Sequence, residues 1–321
     1  MTSRAHLERT ARRRVEAWLD EGGVAGLALE ALTSPLVLAR SQRRVALPVR
    51  APTVGVFGAL LGGSGKTPVA VACVEHLCSL GVPTALVGHG YGGAATDAVH
   101  VSSSTSARLV GDEAVVAARV LAHVEGATVF VGPSRAHAAA LAVAQGARAL
   151  VLDGGRAAPR GARSLSVLAR PPAPSRGLGP LALVLGARAD ATVVVGLPSA
   201  ESLELVRGAW DLGALSGLRY GLATAIGRPT RVVEALASAG SAPRITLALG
   251  NHGVLAPADE ARAAALGAIH RLDVWVATEK GPLLDVAALG GRPVALLRHR
   301  VGLPGTLRYR LAWLVAGAGA Q

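Results

Sequence analysis

The order of hydrophobic and polar positions predicts an α/β fold from about residue 52 onward. Short β-branched runs alternate there with alanine-rich stretches of helical periodicity, a pattern typical of βαβ units around a parallel sheet. Strands are predicted at 53–57, 83–87, 128–131, 149–152 and 191–195, and helices at 68–80, 112–122 and 134–144. This order predicts a doubly wound, mostly parallel sheet.

A second alternation begins near Leu218 and predicts a smaller C-terminal α/β lobe. It includes strands at 245–249 and 274–277. The stretch before it, residues 154–190, is rich in Gly, Pro, Ala and Arg and is predicted to be loop with short elements. We therefore expect three parts: an N-terminal segment over 1–50, a core over 51–215 and a lobe over 216–321.

The N-terminal segment combines a charged helical pattern at 5–20 with a mildly apolar stretch at 24–38 that is flanked by arginines. Such a segment can lie in a membrane interface, with its cations against anionic lipid, or it can form a helix pair packed on the core. It has neither an apolar run of about 18 residues nor a signal-peptide pattern, so we expect a cytoplasmic location.

The charge balance indicates an anionic partner. The chain has 33 basic and 21 acidic residues, a formal charge of +12, although the arginines could also be scattered over a solvated surface. Aromatic residues make up 3% of the chain, which disfavours a nucleic-acid partner. Cys73 and Cys78 have a spacing that suits neither a metal site nor a disulfide, so we interpret them as core thiols in a reducing compartment.

A glycine-rich loop between the first predicted strand and helix is the strongest functional signal. Its glycines would let backbone N–H groups turn towards phosphate oxygens, Lys66 would reach the β- and γ-phosphates of ATP, and the Thr67 hydroxyl would bind Mg²⁺. The predicted nucleotide-binding residues are Leu60, Leu61, Gly62, Gly63, Ser64, Gly65, Lys66 and Thr67. A turn that merely packs strand on helix would not explain why one of two lysines in the chain lies at this position.

The same chemistry requires a carboxylate on the Mg²⁺ side, at the end of a neighbouring hydrophobic strand. Asp153 ends the run Ala149–Asp153 and is the candidate for the metal or its water shell. The alternative is a turn or capping aspartate.

These residues resemble the tetraacyldisaccharide 4′-kinase family of lipid A biosynthesis. Residues 62–68 are similar to its GGTGKTP motif, and Leu60 stands where that family also lacks the first glycine. Further similar segments are 88–93 (SRGYGG in the family), 111–113 (GDE of GDEP), 225–229 (AGIGxP) and 278–280 (TEK of TEKD). The collinear matches cover about residues 50 to 280.

The resemblance implies a P-loop kinase that transfers the γ-phosphoryl group of ATP to the 4′-hydroxyl of an anionic glycolipid, tetraacyldisaccharide 1-phosphate. It also implies a peripheral position at the cytoplasmic face of the inner membrane of a Gram-negative cell; no protein partner is predicted. Asp112 matches the GDE aspartate and is predicted to be the general base, with His252, from a DHH-like motif, as its partner. Glu113 is predicted to hold metal or substrate, although both carboxylates also suit a helix N-terminus.

Several positions depart from the family pattern. The DDGLQH-like motif is reduced to residues 152–157, with Leu152 in place of its first aspartate, and the DHH-like motif keeps one histidine. Gly281 stands in place of the final aspartate of the TEKD motif. Two alternatives therefore stay open: a homologue that binds nucleotide but has lost or changed its acceptor, and a non-catalytic regulatory protein that binds nucleotide.

Overall fold

The structure is a computed structural model. It describes residues 43–58, 65–90, 93–170, 189–195, 203–207, 213–226, 229–249, 255–279 and 281–316, together with Val24, Ala28 and Leu32. Contacts divide the chain into two compact units. Of the described core and lobe residues, 43–195 and 301–316 fall in the first unit and 203–300 in the second.

The first unit is built on a seven-stranded sheet with the order β4-β5-β3-β6-β2-β8-β9. All neighbouring pairs are parallel except β4 and β5. The strands are β2 (Thr53–Gly58), β3 (Thr84–Gly88), β4 (Val99–His100), β5 (Ala127–Val131), β6 (Ala149–Asp153), β8 (Ser164–Arg170) and β9 (Ala191–Val194). A separate parallel ribbon pairs β1 (Arg44–Leu47) with β7 (Arg156–Pro159).

Helices cover both faces of this sheet. The helices of the unit are α1 (Lys66–Ser79), α2 (Ala107–Val110), α3 (Asp112–Leu121), α4 (Arg135–Ala144) and α7 (Gly305–Val315). Buried residues of α1, α3 and α7 form one core cluster with the sheet, whereas those of α4 form another with β1 and β7 on the opposite face. The predicted doubly wound order is therefore confirmed.

The second unit has its own doubly wound sheet with the path β10-β15-β13-β11-β12. Its elements are β10 (Leu203–Arg207), β11 (Tyr220–Thr224), α5 (Thr230–Ser238), β12 (Ile245–Ala248), α6 (Pro257–Ile269), β13 (Val274–Thr278), β14 (Ala288–Leu289) and β15 (Arg292–His299). Helices α5 and α6 belong to different core clusters, on opposite faces. The second alternation seen in the sequence thus corresponds to a real α/β lobe.

The structure corrects one prediction and differs from another. Residues 154–190 were expected to be loop with short elements, but the seven-residue strand β8 lies there together with β7, and β8 pairs with β2 over six residues, between β2 and β9. The predicted lobe over 216–321 also differs from the contact grouping, which assigns the described residues 301–316 to the first unit. The physical reason is that Leu307, Leu311 and Leu314 of α7 are buried in the core cluster that contains α1.

Candidate functional site

The site begins where α1 follows the central strand β2. Gly65 is the N-cap residue of α1 and has a φ of 76°, a left-handed conformation that glycine adopts without steric cost. Helix α1 then starts at Lys66, so its first N–H groups and the positive end of its dipole lie at the predicted phosphate loop. This is the geometry that favours an anion. Residues 60–64 of the predicted loop lie outside the described residues.

Gly65 is also required because the side chain of Val195 packs against it. A Cβ atom at this position would lie 2.7 Å from Cγ1 and 2.8 Å from Cγ2 of Val195. Val195 is 4% exposed and follows directly after β9. Sequence analysis did not identify this contact, because nothing near residue 195 indicates proximity to residue 65.

The second part of the site is the carboxyl end of β6, the strand beside β2. Strand pairing sets Asp153 opposite Val56, and the Thr67 hydroxyl donates a hydrogen bond of 2.6 Å to Oδ2 of Asp153. Thr67 and Asp153 are 86 residues apart in the sequence. The structure thus brings together the two residues that were predicted to lie on the Mg²⁺ side.

Charged residues on both sides of Asp153 determine its electrostatics. Burial raises the pKa of the Asp153 carboxyl above its ordinary value, and the negative charge of Glu113 raises it further. The hydroxyl of Thr67 and the positive charges of Lys66 and Arg135 lower the same pKa. Lys66, Thr67, Glu113 and Asp153 therefore belong to one electrostatic cluster, as a phosphate and metal site requires.

Asp112 and Glu113 occupy the first turn of α3, where carboxylates are favourable to the helix dipole. Asp112 is buried, and the N-cap residue of the helix is Gly111, without a hydrogen bond from a capping side chain. The dipole interpretation is therefore compatible with the structure, and both residues have further interactions. His252 and Lys280 lie outside the described residues.

The oxygen atoms near Asp153 are donors that suit a divalent cation. In the described part of the chain, no three His, Cys, Asp or Glu side chains form a group that could hold a metal ion. The Thr67 hydroxyl with the carboxylates of Asp153 and Glu113 is nevertheless an all-oxygen set, and Mg²⁺ needs few protein ligands because phosphates and water supply the remainder. These residues fit Mg²⁺ bound together with a nucleotide.

Comparisons with known proteins agree with this geometry. The family model of tetraacyldisaccharide-1-P 4'-kinase matches residues 28–169. The tetraacyldisaccharide 4'-kinase of Methylobacterium sp. (strain 4-46) is 33% identical over 308 residues, which cover 87% of this chain and 90% of that protein. That of Xanthobacter autotrophicus is 32% identical over 277 residues, with coverages of 76% and 78%. This chain belongs to the tetraacyldisaccharide 4'-kinase family.

A solved member of the tetraacyldisaccharide 4'-kinase family shares the fold. It is LpxK from Aquifex aeolicus, in a crystal structure described as a complex with ATP. The two structures match with a TM-score of 0.55 at 16% identity, over 95% of this chain and 99% of that one. The P-loop kinase fold with two α/β lobes is therefore confirmed.

In the second unit, the TEK-like segment of the kinase is anchored by polar contacts. Glu279 forms a bidentate ion pair with Arg298, with distances of 2.7 Å to Nε and 2.8 Å to Nη2, and both side chains are largely buried. The hydroxyls of Thr224 and Thr278 lie 3.0 Å apart at the carboxyl ends of β11 and β13. Glu279 is thus held in place by a structural ion pair within the second unit.

Both cysteines lie in helix α1 and are free thiols. Cys73 is buried in α1, and burial raises the pKa of its thiol to about 12, so it is protonated at neutral pH. Cys78 is half-buried, and burial raises its thiol pKa as well. The prediction of a core thiol is confirmed for Cys73, whereas Cys78 is half-buried and packs against the same core cluster.

Proposed function

We propose that this protein binds MgATP at the amino end of α1 and phosphorylates the 4′-hydroxyl of tetraacyldisaccharide 1-phosphate. The observation that carries the proposal is the hydrogen bond from Thr67 to Asp153 beside Lys66. It joins the loop that would bind phosphate to the carboxylate that would bind the metal. Membership of the family supports this acceptor.

Each charged group has a defined task in this proposal. Lys66 and the first N–H groups of α1 would stabilise the negative charge on the phosphates, which is spread over the three equatorial oxygens of the phosphoryl group during transfer. Thr67, Asp153 and Glu113 would hold Mg²⁺, which supplies further neutralisation of the phosphates when bound. The raised pKa of Asp153 is consistent with a carboxylate that awaits a cation.

The proton of the 4′-hydroxyl needs an acceptor as the new P–O bond forms. We assign this role to Asp112, with His252 as a partner that stabilises the protonated state. Asp112 is buried in the first turn of α3, next to Glu113 of the Asp153 cluster. The assignment of His252 rests on the family motif alone.

The anionic acceptor and an anionic membrane surface explain the formal charge of +12. In the N-terminal segment, Val24 and Leu32 are helical and 85% and 76% exposed, as expected for side chains that contact lipid. No described helix has both the length and the hydrophobicity needed to cross a bilayer. We therefore propose peripheral attachment at the cytoplasmic face of the inner membrane.

A second candidate function is nucleotide binding without phosphorylation of this lipid. Leu152 favours it, because it replaces the first aspartate of the DDGLQH-like motif and is completely buried in the core. Fewer carboxylates near the metal would weaken Mg²⁺ binding and lower turnover.

The deciding experiment measures transfer of phosphate from labelled ATP to tetraacyldisaccharide 1-phosphate by the purified protein in detergent. We expect label in the lipid, loss of label in Lys66→Ala, and strong reductions in Asp112→Ala and His252→Ala. Measurable ATP binding without any labelled lipid would favour the second candidate. Full activity of Lys66→Ala would refute the phosphate-loop mechanism.

A further inference from the structure

Helix α7 presents aromatic side chains to the solvent. Tyr309 and Trp313 are 75% and 58% exposed, and their spacing of four residues places them on the same side of the helix. The aliphatic side chains Leu307, Leu311 and Leu314 are buried in the core of the first unit. The helix is therefore packed through its aliphatic side, and its aromatic side is left as an exposed apolar surface of the kind that contacts a partner.

Arginines flank the aromatic pair on both sides. Arg308 and Arg310 stand before and after Tyr309, about 100° to either side of it around the helix, and both are exposed. In the described part of the chain, neither arginine forms an ion pair with a carboxylate. Arg310 donates a hydrogen bond of 2.6 Å from Nη1 to the main-chain oxygen of Asp190, which is a neutral acceptor. Both positive charges are therefore available to an anionic partner.

A third arginine holds the indole ring of Trp313. The guanidinium carbon of Arg163 lies 4.4 Å from the centroid of the ring, and its Nη1 donates a hydrogen bond of 3.1 Å to the main-chain oxygen of Trp313. Arg163 is itself exposed and directly precedes β8. The cation–π contact and the hydrogen bond fix the indole while adding positive charge beside it. We define the α7 patch as Arg163, Arg308, Tyr309, Arg310 and Trp313.

The chemistry of the α7 patch favours an anionic lipid surface. Tyrosine and tryptophan side chains settle at the headgroup level of a bilayer, and arginines beside them are attracted to anionic headgroups. Residues 286–321 contain five arginines and no Asp or Glu, so carboxylates in this part of the chain would not repel such a surface. Two copies of the patch would repel each other through their arginines. An acidic protein would match the charge, but an anionic membrane is the surface in which the proposed acceptor lies.

We propose that the α7 patch is a membrane-docking surface that binds a bilayer containing anionic phospholipid. The proposal rests on the proposed function and adds a second contact to that of the N-terminal segment. His76, in the last turn of α1, has its Nε2 3.2 Å from the main-chain oxygen of Arg308, whereas the phosphate loop lies at the first turn of α1. The patch is thus separate from the nucleotide site, so it acts on the affinity for the membrane and not on phosphoryl transfer.

The first test measures binding of the full chain to vesicles of phosphatidylcholine with and without phosphatidylglycerol. Each arginine near an anionic surface contributes about fivefold in affinity, so Arg308→Gln/Arg310→Gln should bind the anionic vesicles about 20- to 30-fold more weakly. Its binding to pure phosphatidylcholine should change little, and the difference should shrink at high salt. Arg262→Gln/Arg271→Gln is the matched control, because it removes two exposed arginines outside the patch, and it should bind close to wild-type affinity.

The second test locates the aromatic side chains. Brominated phosphatidylglycerol quenches the fluorescence of tryptophans that contact the bilayer, so the quenched fraction should fall in Trp313→Phe. Trp275→Phe is the matched control, because Trp275 is completely buried in β13 and should contribute nothing to the quenching. Tyr309→Gln should weaken binding to both kinds of vesicle, since it removes an exposed aromatic ring without changing the charge.

Wild-type affinity in Arg308→Gln/Arg310→Gln together with unchanged quenching in Trp313→Phe would overturn the proposal and leave the patch to a protein partner. Equal losses in the two double-arginine variants would also overturn it, because net charge alone would then explain the binding.

Activity separates this proposal from the proposed function. The α7 variants should keep wild-type phosphate transfer to lipid in detergent, with a raised KM and an unchanged kcat when the same lipid is presented in vesicles. Wild-type protein that binds the vesicles through the patch but labels no lipid in detergent would refute the kinase function alone.

Discussion

The packing of Gly65 against Val195 yields a quantitative prediction about the phosphate loop. We consider the substitution Gly65→Ala, which adds one methyl group at the N-cap of α1. An alanine at φ 76° costs about 1–2 kcal/mol because its Cβ crowds the backbone. The new Cβ would also lie 2.7 Å from Val195 Cγ1, and relieving such an overlap in a packed core costs about 1–3 kcal/mol. The total expected destabilisation is about 2–5 kcal/mol.

Gly81 provides the control for the backbone term. It has the same φ of 76°, but a Cβ there would meet nothing within 4 Å. Gly81→Ala should therefore cost about 1–2 kcal/mol, and the difference between the two variants isolates the overlap with Val195. Urea unfolding followed by circular dichroism measures both values.

Val195→Ala should restore part of the lost stability in the Gly65→Ala background, because it removes both methyl groups that the new Cβ would meet. We expect a favourable interaction energy of about 1–3 kcal/mol in the double-mutant cycle. Equal destabilisation by Gly65→Ala and Gly81→Ala, or an additive cycle, would refute the close approach of Val195 to Gly65. Binding of MgATP should fall in Gly65→Ala but not in Gly81→Ala.

Three further predictions concern the carboxylate cluster and the second unit. Because the pKa of Asp153 is raised in the folded protein, the nucleotide-free fold loses stability as the pH rises from the unfolded-state pKa through the folded-state pKa. Asp153→Asn should therefore raise the melting temperature at neutral pH while weakening MgATP binding; a lower melting temperature would contradict this. Thr67→Val removes the 2.6 Å hydrogen bond to the Asp153 carboxylate and should destabilise the nucleotide-free protein by about 1–3 kcal/mol at neutral pH. The loss should be smaller in acid, and chemical unfolding at neutral and acidic pH measures both values. Arg298→Met leaves the buried carboxylate of Glu279 unpaired and should cost about 3–5 kcal/mol. The same change at Arg219, whose ion pair is exposed, should have little effect on stability; similar losses in the two variants would argue against burial as the cause.

Local sequence patterns were sufficient to predict many of the strands and helices of the first unit. The strand at Thr53–Gly58, the helix at Lys66–Ser79 and the strand at Ala149–Asp153 were each predicted within a few residues. Their signals are local: β-branched runs, a glycine before a helix and a hydrophobic run that ends in aspartate. The phosphate loop and the family resemblance followed from the same short segments.

Strand β8 shows where local patterns fail. Its sequence, SLSVLAR, does alternate, but it stands in a stretch dominated by Gly, Pro, Ala and Arg, and that composition indicates loop. It forms a strand because β2 offers a paired edge over six residues and the buried side chains of β8 complete the core. Tertiary pairing overrides weak local preference at this position.

The sequence by itself determined the alternation of elements, the phosphate loop with Lys66 and Thr67, and the resemblance to lipid A 4'-kinases. Only the tertiary structure decided which distant groups meet there. Asp153 reaches Thr67 because β6 lies beside β2 in the sheet. Val195 reaches Gly65 because β9, which precedes it, lies beside β8. Arg135 reaches the Asp153 carbonyl from the other face of the sheet. Each contact depends on the order of strands in the sheet, which is set by the burial of hydrophobic side chains over the whole unit and not by any short segment.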